Sequence, residues 1–248
     1  MLGANNKYHF GVILGMQESH IESFIVRYVR DGDVVAIGTS QLGESFLKKL
    51  AIALEQEHIP INHISFVPTS MRMATIASGL GLPIADINES EIDVAIEFID
   101  CVDDSFNFIK RNSTSLVRDK MIATGCETLV AICGESNFQE RLVGRIPFEV
   151  STFGWKRTLN QLDVYGRARR RESDGMPFRT ETGNYIIDVE FDKIFSYDEL
   201  EVQSKNIPGV IETGLFVGLA DKVILQGKNI RVLSRTGPEK GSRAGKQN

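Results

Sequence analysis

Residues 93–120 read DVAIEFIDCVDDSFNFIKRNSTSLVRDK, and the fold depends on how this stretch is parsed. Val94 to Ile99 is an apolar run interrupted only by Glu97, the pattern of a buried parallel strand. Where that strand should end come the carboxylates Asp100, Asp103 and Asp104. Lys110 follows, then the polar loop Arg111 to Ser115, then Arg118, Asp119 and Lys120 at the start of a helical pattern. Acids and a lysine just beyond a buried strand lie where open α/β sheets keep their ligand sites. Spacing alone equally allows an ordinary acidic loop with a solvated helix start, because charged loop residues are common.

Working upstream, Gln17 to Arg30 places Ile21, Phe24, Ile25, Tyr28 and Val29 at helical spacing. Asp31-Gly32-Asp33 ends that helix and leads into a strand, Val34 to Ile37. The loop Gly38-Thr39-Ser40-Gln41-Leu42-Gly43 and a helix, Glu44 to Glu57, come next. Backbone N–H groups at such a helix start can hold a phosphate. The loop lacks the middle glycine of G-x-G-x-x-G, which argues against a dinucleotide site. Gly43 falls one place too late for Ser40 to be a nucleophile elbow. Ile64 to Val67 reads as a second strand, Met71 to Gly79 as a helix ended by glycine, and Leu82 to Ile87 as a short strand or extended segment.

Downstream, Lys120 to Gly125 belongs to a helix and Leu129 to Cys133 to a strand. Strand and helix alternate, so the expectation is a parallel Rossmann-like sheet with helices on both faces. Beyond the connector Glu135 to Gly144 the pattern changes. Pro147–Thr152, Ala168–Glu172, Tyr185–Phe191 and Val210–Phe216 read as strands, with helices at Lys156–Tyr165 and Tyr197–Asn206. That order, β-α-β-β-α-β, predicts an inserted ferredoxin-like α+β lobe. Residues 1–143 with 218–235 then form the α/β domain carrying the site, with Lys222–Gln226 as its edge strand. Residues 144–217 form the lobe, and 236–248 a disordered tail. Arg167, Arg169, Arg170 and Arg171 suit a strand with one solvated face better than an anion site.

The net charge of −5 offers no basic face for nucleic acid. No apolar run approaches the roughly 18 residues of a membrane span, and the N-terminus lacks the charged region of a signal peptide. The three cysteines, Cys101, Cys126 and Cys133, form no CxxC, which points to a reducing cytoplasm rather than a disulfide framework. His9, His20, His58 and His63 show no metal-ligand spacing, so neither metal nor cofactor is expected.

Several segments together resemble the type A ribose-5-phosphate isomerase family. Asp100-Cys101-Val102-Asp103-Asp104 resembles its D-G-A-D-[ED], Ile109-Lys110-Arg111 its I-K-G, and Arg118-Asp119-Lys120 the close of its [TR]-[RQ]-E-K. Val67-Pro68-Thr69-Ser70, Thr180 to Asp188 and Ile207 to Phe216 resemble V-P-T-S, V-T-D-N-G-N-x-I-L-D and I-P-G-V-V-x-x-G-L-F. The resemblance implies a metal-free aldose–ketose isomerase of the pentose phosphate pathway, acting on ribose 5-phosphate as a homodimer or homotetramer. It implies Asp119 as the base, with Lys110, Asp100 and Asp103 contacting the oxyanion and hydroxyls. It assigns phosphate or hydroxyl contacts to Gly38, Thr39, Ser40, Gln41, Thr69 and Ser70. Arg111, where the family has glycine, is a candidate to replace a lost cation, because a guanidinium binds phosphate in a fork.

Departures from the family pattern are equally specific. Asp119 stands where the family has glutamate, one methylene longer. The loop Gly38–Leu42 lacks the middle glycine and the Ser-Thr pair of G-[ST]-G-S-T. Glu18 falls at an N-terminal lysine, Arg111-Asn112-Ser113 replaces a glycine run, and a second lysine falls near Asn137 or Phe138. The interval from Asp104 to Lys110 is short by a few residues. Two readings follow: an active isomerase, or a catalytically impaired relative that binds a sugar phosphate or a protein partner. Under the first, lengthening Asp119 to glutamate should raise turnover.

Overall fold

The structure, a computed structural model, describes residues 24–56, 59, 61 and 63–235. The first part of the Gln17–Arg30 helix, Glu18, His9, His20, His58 and the tail 236–248 lie outside the described residues. The chain opens with β1 (Val34–Ile37), α1 (Gln41–Glu55), β2 (Ser65–Pro68), α2 (Met71–Gly79) and β3 (Ile92–Phe98). Short β4 (Cys101–Val102) and β5 (Phe108–Ile109) precede α3 (Leu116–Gly125) and β6 (Cys126–Gly134). Then come β7 (Gly144–Val150), α4 (Trp155–Leu162), β8 (Arg167–Arg170), β9 (Glu172–Ser173), β10 (Met176–Pro177) and β11 (Tyr185–Phe191). The described chain closes with α5 (Tyr197–Lys205), β12 (Val210–Thr213), β13 (Leu215–Phe216), β14 (Lys222–Gln226) and β15 (Ile230–Ser234).

A six-stranded sheet, order β15-β14-β6-β3-β1-β2, is parallel throughout except for the β14–β15 pair. Its central strand β3 is buried on both faces, which explains its apolar character apart from Asp93 and Glu97. Val94, Ile96 and Phe98 pack with Phe46 and Leu50 of α1 and Met73 of α2. Ile92, Ala95 and Ile99 pack on the opposite side with Ile122 and Ala123 of α3. The chain runs from β1 outward to β2, then crosses back over β1 to β3. The C-terminal ends of β1 and β3 therefore flank a topological switch point.

The second sheet, order β12-β7-β11-β8, is antiparallel and carries α4 and α5, the ferredoxin-like arrangement. Its core includes Phe148, Ile187, Val189, Leu162 and Leu200. Ala168 of β8 turns inward while Arg167 and Arg169 face solvent. Arg171 forks onto Asp188, and Arg170 stacks over the Trp155 ring at 4.5 Å, so the basic run is held by its own lobe.

Leu82–Ile87 takes the extended alternative, with an isolated bridge from Ile84 to Phe66, since Pro83 supplies no N–H there. Two strand expectations need correcting. Lys222–Gln226 is not the edge strand, because β15 pairs outside it. Val210–Phe216 is two strands: β12 belongs to the lobe, whereas β13 joins a three-stranded sheet, β13-β5-β4. The change of sheet occurs at Gly214. Its N–H donates to the Pro147 carbonyl at 2.7 Å, and its own carbonyl accepts from the Lys110 N–H at 2.9 Å. A Cβ at Gly214 would run into Pro147 and the Lys110 carbonyl.

Candidate active site

Three helices begin at the C-terminal side of the parallel sheet, each capped by a serine. Ser40, Ser70 and Ser115 hold extended backbones and accept from the N–H groups of Gly43, Met73 and Arg118. Of the predicted phosphate loop, Gly38 donates its N–H to the Ile96 carbonyl at 2.8 Å and so locks onto β3. Thr69 donates its hydroxyl to the Ile37 carbonyl at 2.8 Å, and lies 2.7 Å from the Thr39 hydroxyl. Thr69 has one proton, so Thr39 is the donor between them. Neither threonine proton remains for a ligand in this arrangement. The loop's remaining anion donors include the backbone N–H groups opening α1, which begins at Gln41, and the Ser40 hydroxyl, which accepts from Gly43 and keeps its own proton.

Beside this loop lies a buried ionic group. Lys110 Nζ stands 2.5 Å from Glu97 Oε2 and 2.9 Å from Asp119 Oδ2. The three residues are 2%, 1% and 2% exposed in the order Lys110, Glu97, Asp119. A single ammonium faces two carboxylates, and among the described residues Glu97 Oε1 has no hydrogen-bond partner. Burial pushes the Glu97 carboxyl up to about 7, against the pull of Lys110 and with a further push from Asp119. Burial works against the Lys110 charge, but Asp119 and Glu97 more than offset it and raise its pKa. The Glu97 carboxylate lies directly on Gly38, where any Cβ would meet it.

Asp100 accepts the Arg111 N–H at 2.5 Å and the Asn112 side-chain amide at 3.4 Å, which shapes the loop after Lys110. Two predicted site residues are placed otherwise. Asp103 accepts the N–H groups of Ser105 and Asn107 on one oxygen and the Asn107 amide on the other. Its carboxylate is consumed by the 103–107 turn rather than by the group around Lys110. Arg111 donates to the carbonyls of Arg145 and Val143, so its guanidinium fastens the loop to the lobe.

Several contributors lacked a sequence signal strong enough to single them out. Glu149, fully buried, accepts from Thr180, Thr182, Asn184 and the Val117 N–H. Glu181 accepts the Met71 N–H and the Arg118 guanidinium. Together they clamp the 180–184 loop onto the starts of α2 and α3, the latter carrying Asp119. Glu97 had one visible signal: a carboxylate interrupting an otherwise apolar strand.

The family model for ribose 5-phosphate isomerase A (phosphoriboisomerase A) matches residues 65–229, most of the chain. The chain belongs to the ribose 5-phosphate isomerase A family. Ribose-5-phosphate isomerase A 2 of Oceanobacillus iheyensis is 34% identical over 203 residues, 81% of this chain and 89% of that protein. The Brucella suis ribose-5-phosphate isomerase A is 34% identical over 220 residues, 84% of this chain and 93% of that protein. Among solved structures, the Plasmodium falciparum ribose 5-phosphate isomerase superposes with a TM-score of 0.82 at 25% identity, covering 89% and 98% of the two chains. A D-ribose-5-phosphate isomerase in complex with phospho-erythronic acid gives 0.80 at 29% identity, covering 88% and 97%.

Within the phosphoriboisomerase pattern, the geometry bears on where the D-G-A-D segment lies. Glu97-Phe98-Ile99-Asp100 begins three residues before the Asp100-Cys101-Val102-Asp103 placement. The earlier placement sets an acid on Lys110 and another on the Arg111 N–H. It also lengthens the interval to Lys110 that looked a few residues too short.

Proposed function

We infer that this chain is an aldose–ketose isomerase that interconverts ribose 5-phosphate and ribulose 5-phosphate, with Asp119 as its base. The observation that carries the residue assignment is the Lys110 ammonium buried between Glu97 and Asp119 beside the β1–α1 loop. Asp119 takes the C2 proton of the open-chain aldose and returns it to C1. The Lys110 ammonium offsets the negative charge that develops on the enediolate oxygens. The C2 hydroxyl proton passes to the C1 oxygen, so atoms balance and no redox partner is needed. The substrate phosphate sits at the starts of α1 and α2, next to Ser40, Gln41 and Ser70.

A relative that binds without turnover is the less favoured reading, because relatives 34% identical to this chain over most of its length bear the isomerase name. Incubating purified protein with ribose 5-phosphate and measuring ribulose 5-phosphate tests the reading. Turnover is expected, and its complete absence at saturating substrate would sink it.

We also take the protein to be a cytoplasmic homo-oligomer, a dimer or tetramer. Its three cysteines are free and buried, as suits a reducing compartment. Phe153, Val164 and Phe195 are 91%, 84% and 83% exposed in the single chain, apolar surface that association would cover.

A further inference from the structure

The carboxylates on either side of Lys110 have unequal reach. Glu97 has two methylenes and approaches Nζ at 2.5 Å, while Asp119 has one and stands at 2.9 Å. The backbone under Lys110 cannot shift to even them out. Its N–H is bonded to the Gly214 carbonyl, and Gly214 has no room for a Cβ between Pro147 and Lys110. Glu97 cannot retreat either, because its carboxylate already lies on Gly38. Asp119 is set by α3, whose start is held by the Ser115 cap and by Glu149. Three anchored backbones thus face one water-excluded space, and what can vary is how the methylenes divide between positions 97 and 119.

We propose that Glu97 is a positioning residue for Lys110, and that its length is matched to the short carboxylate of Asp119. The two positions form one unit: a methylene absent at 119 is present at 97. In the family pattern both differences occur together, since the base position carries glutamate and the earlier acid aspartate. Lengthening residue 119 alone drives its carboxylate into the ammonium in a packed site. Shortening residue 97 alone withdraws one partner and leaves a void. Exchanging both restores the combined reach. The expectation that Asp119→Glu alone raises turnover is therefore reversed.

The test is a cycle of four full-length proteins: parent, Glu97→Asp, Asp119→Glu and the double exchange. Turnover of ribose 5-phosphate and thermal melting of the sugar-free protein are both measured. Each single change should lower kcat on the order of a hundredfold with little change in KM, because Lys110 acts on the charge of the transition state. The double exchange should recover most of that loss and most of the fall in melting temperature. A loss in the double form equal to the product of the single losses would overturn the proposal. So would an Asp119→Glu form at least as active as the parent. The kinetic arm rests on the isomerase reading above, but the melting arm does not. An inactive parent would sink that reading alone, and the melts would still decide: recovery in the double form supports matched lengths, additivity refutes them.

Discussion

At the scale of single residues, the buried ionic group makes two predictions. Asp119→Asn should cut turnover by about 10² to 10⁴-fold, the usual contribution of a positioned base, because an amide cannot take the C2 proton. Calorimetry with ribose 5-phosphate should show binding close to that of the parent, since the amide still hydrogen-bonds. Glu97 supplies the second. Its folded-state pKa is raised from 4.5 to about 7, first by burial, with Lys110 opposing and Asp119 adding. The folded protein therefore holds this proton more tightly than the unfolded chain. Its stabilising contribution is complete below about 4.5 and is lost as pH rises toward 7. The change is of order 3 kcal/mol, at about 1.4 kcal/mol per unit. Chemical denaturation between pH 4.5 and 7.5 should show this decline, set against the other titrating groups, and Glu97→Gln should flatten it. An identical slope in the Gln form would remove Glu97 as its source.

At the scale of elements, what matters is how short segments aim the site. β5 is only Phe108–Ile109, yet it delivers Lys110, because β13 pairs with it and Gly214 accepts the Lys110 N–H. Gly214→Ala should push β13 off β5, lowering stability by about 1–3 kcal/mol, as overpacking in a tight site does. It should also lower kcat through Lys110, and a variant with parental kcat would show that Lys110 is aimed by other means. α3 carries the base and is capped by Ser115, which accepts the Arg118 N–H at 3.3 Å. Ser115→Ala should cost about 1 kcal/mol in denaturant unfolding. Lys110 and the helical pattern after Ser115 were legible locally. The Gly214 contact was not, because it joins residues more than a hundred positions apart.

At the scale of the whole molecule, the two main sheets meet through α3. Lys120, next to the base, donates to Glu201 at 2.7 Å and to the Leu215 carbonyl at 2.6 Å, and pairs with Glu212 at 3.2 Å. It ties the site helix to α5 and β12 of the lobe. Lys120→Met would leave the two glutamates with Lys205 as their remaining ion-pair partner. The expected loss is about 3 kcal/mol, the cost of removing one member of a buried pair, read from denaturant melts. Loss of less than 0.5 kcal/mol would mean that Lys120 contributes little to holding the lobe to α3. Association is checked separately: light scattering should give a mass at least twice 27.6 kDa.

The sequence by itself determined the layered α/β sheet and the antiparallel lobe, because period-2 and 3.6 burial patterns report each element's own surroundings. It also singled out Lys110, Asp119, Thr69 and Ser70 through short motifs. Only the tertiary structure decided which acids meet the lysine. Glu97 and Asp103 are both carboxylates near a strand end, and local pattern cannot say which one faces an ammonium. The fold settles it by pairing β1 with β3, which lays Glu97 over Gly38, while the 103–107 turn consumes both oxygens of Asp103. The split of Val210–Phe216 between two sheets was hidden for the same reason. A strand's propensity is local, but its partner is chosen by packing across the whole chain.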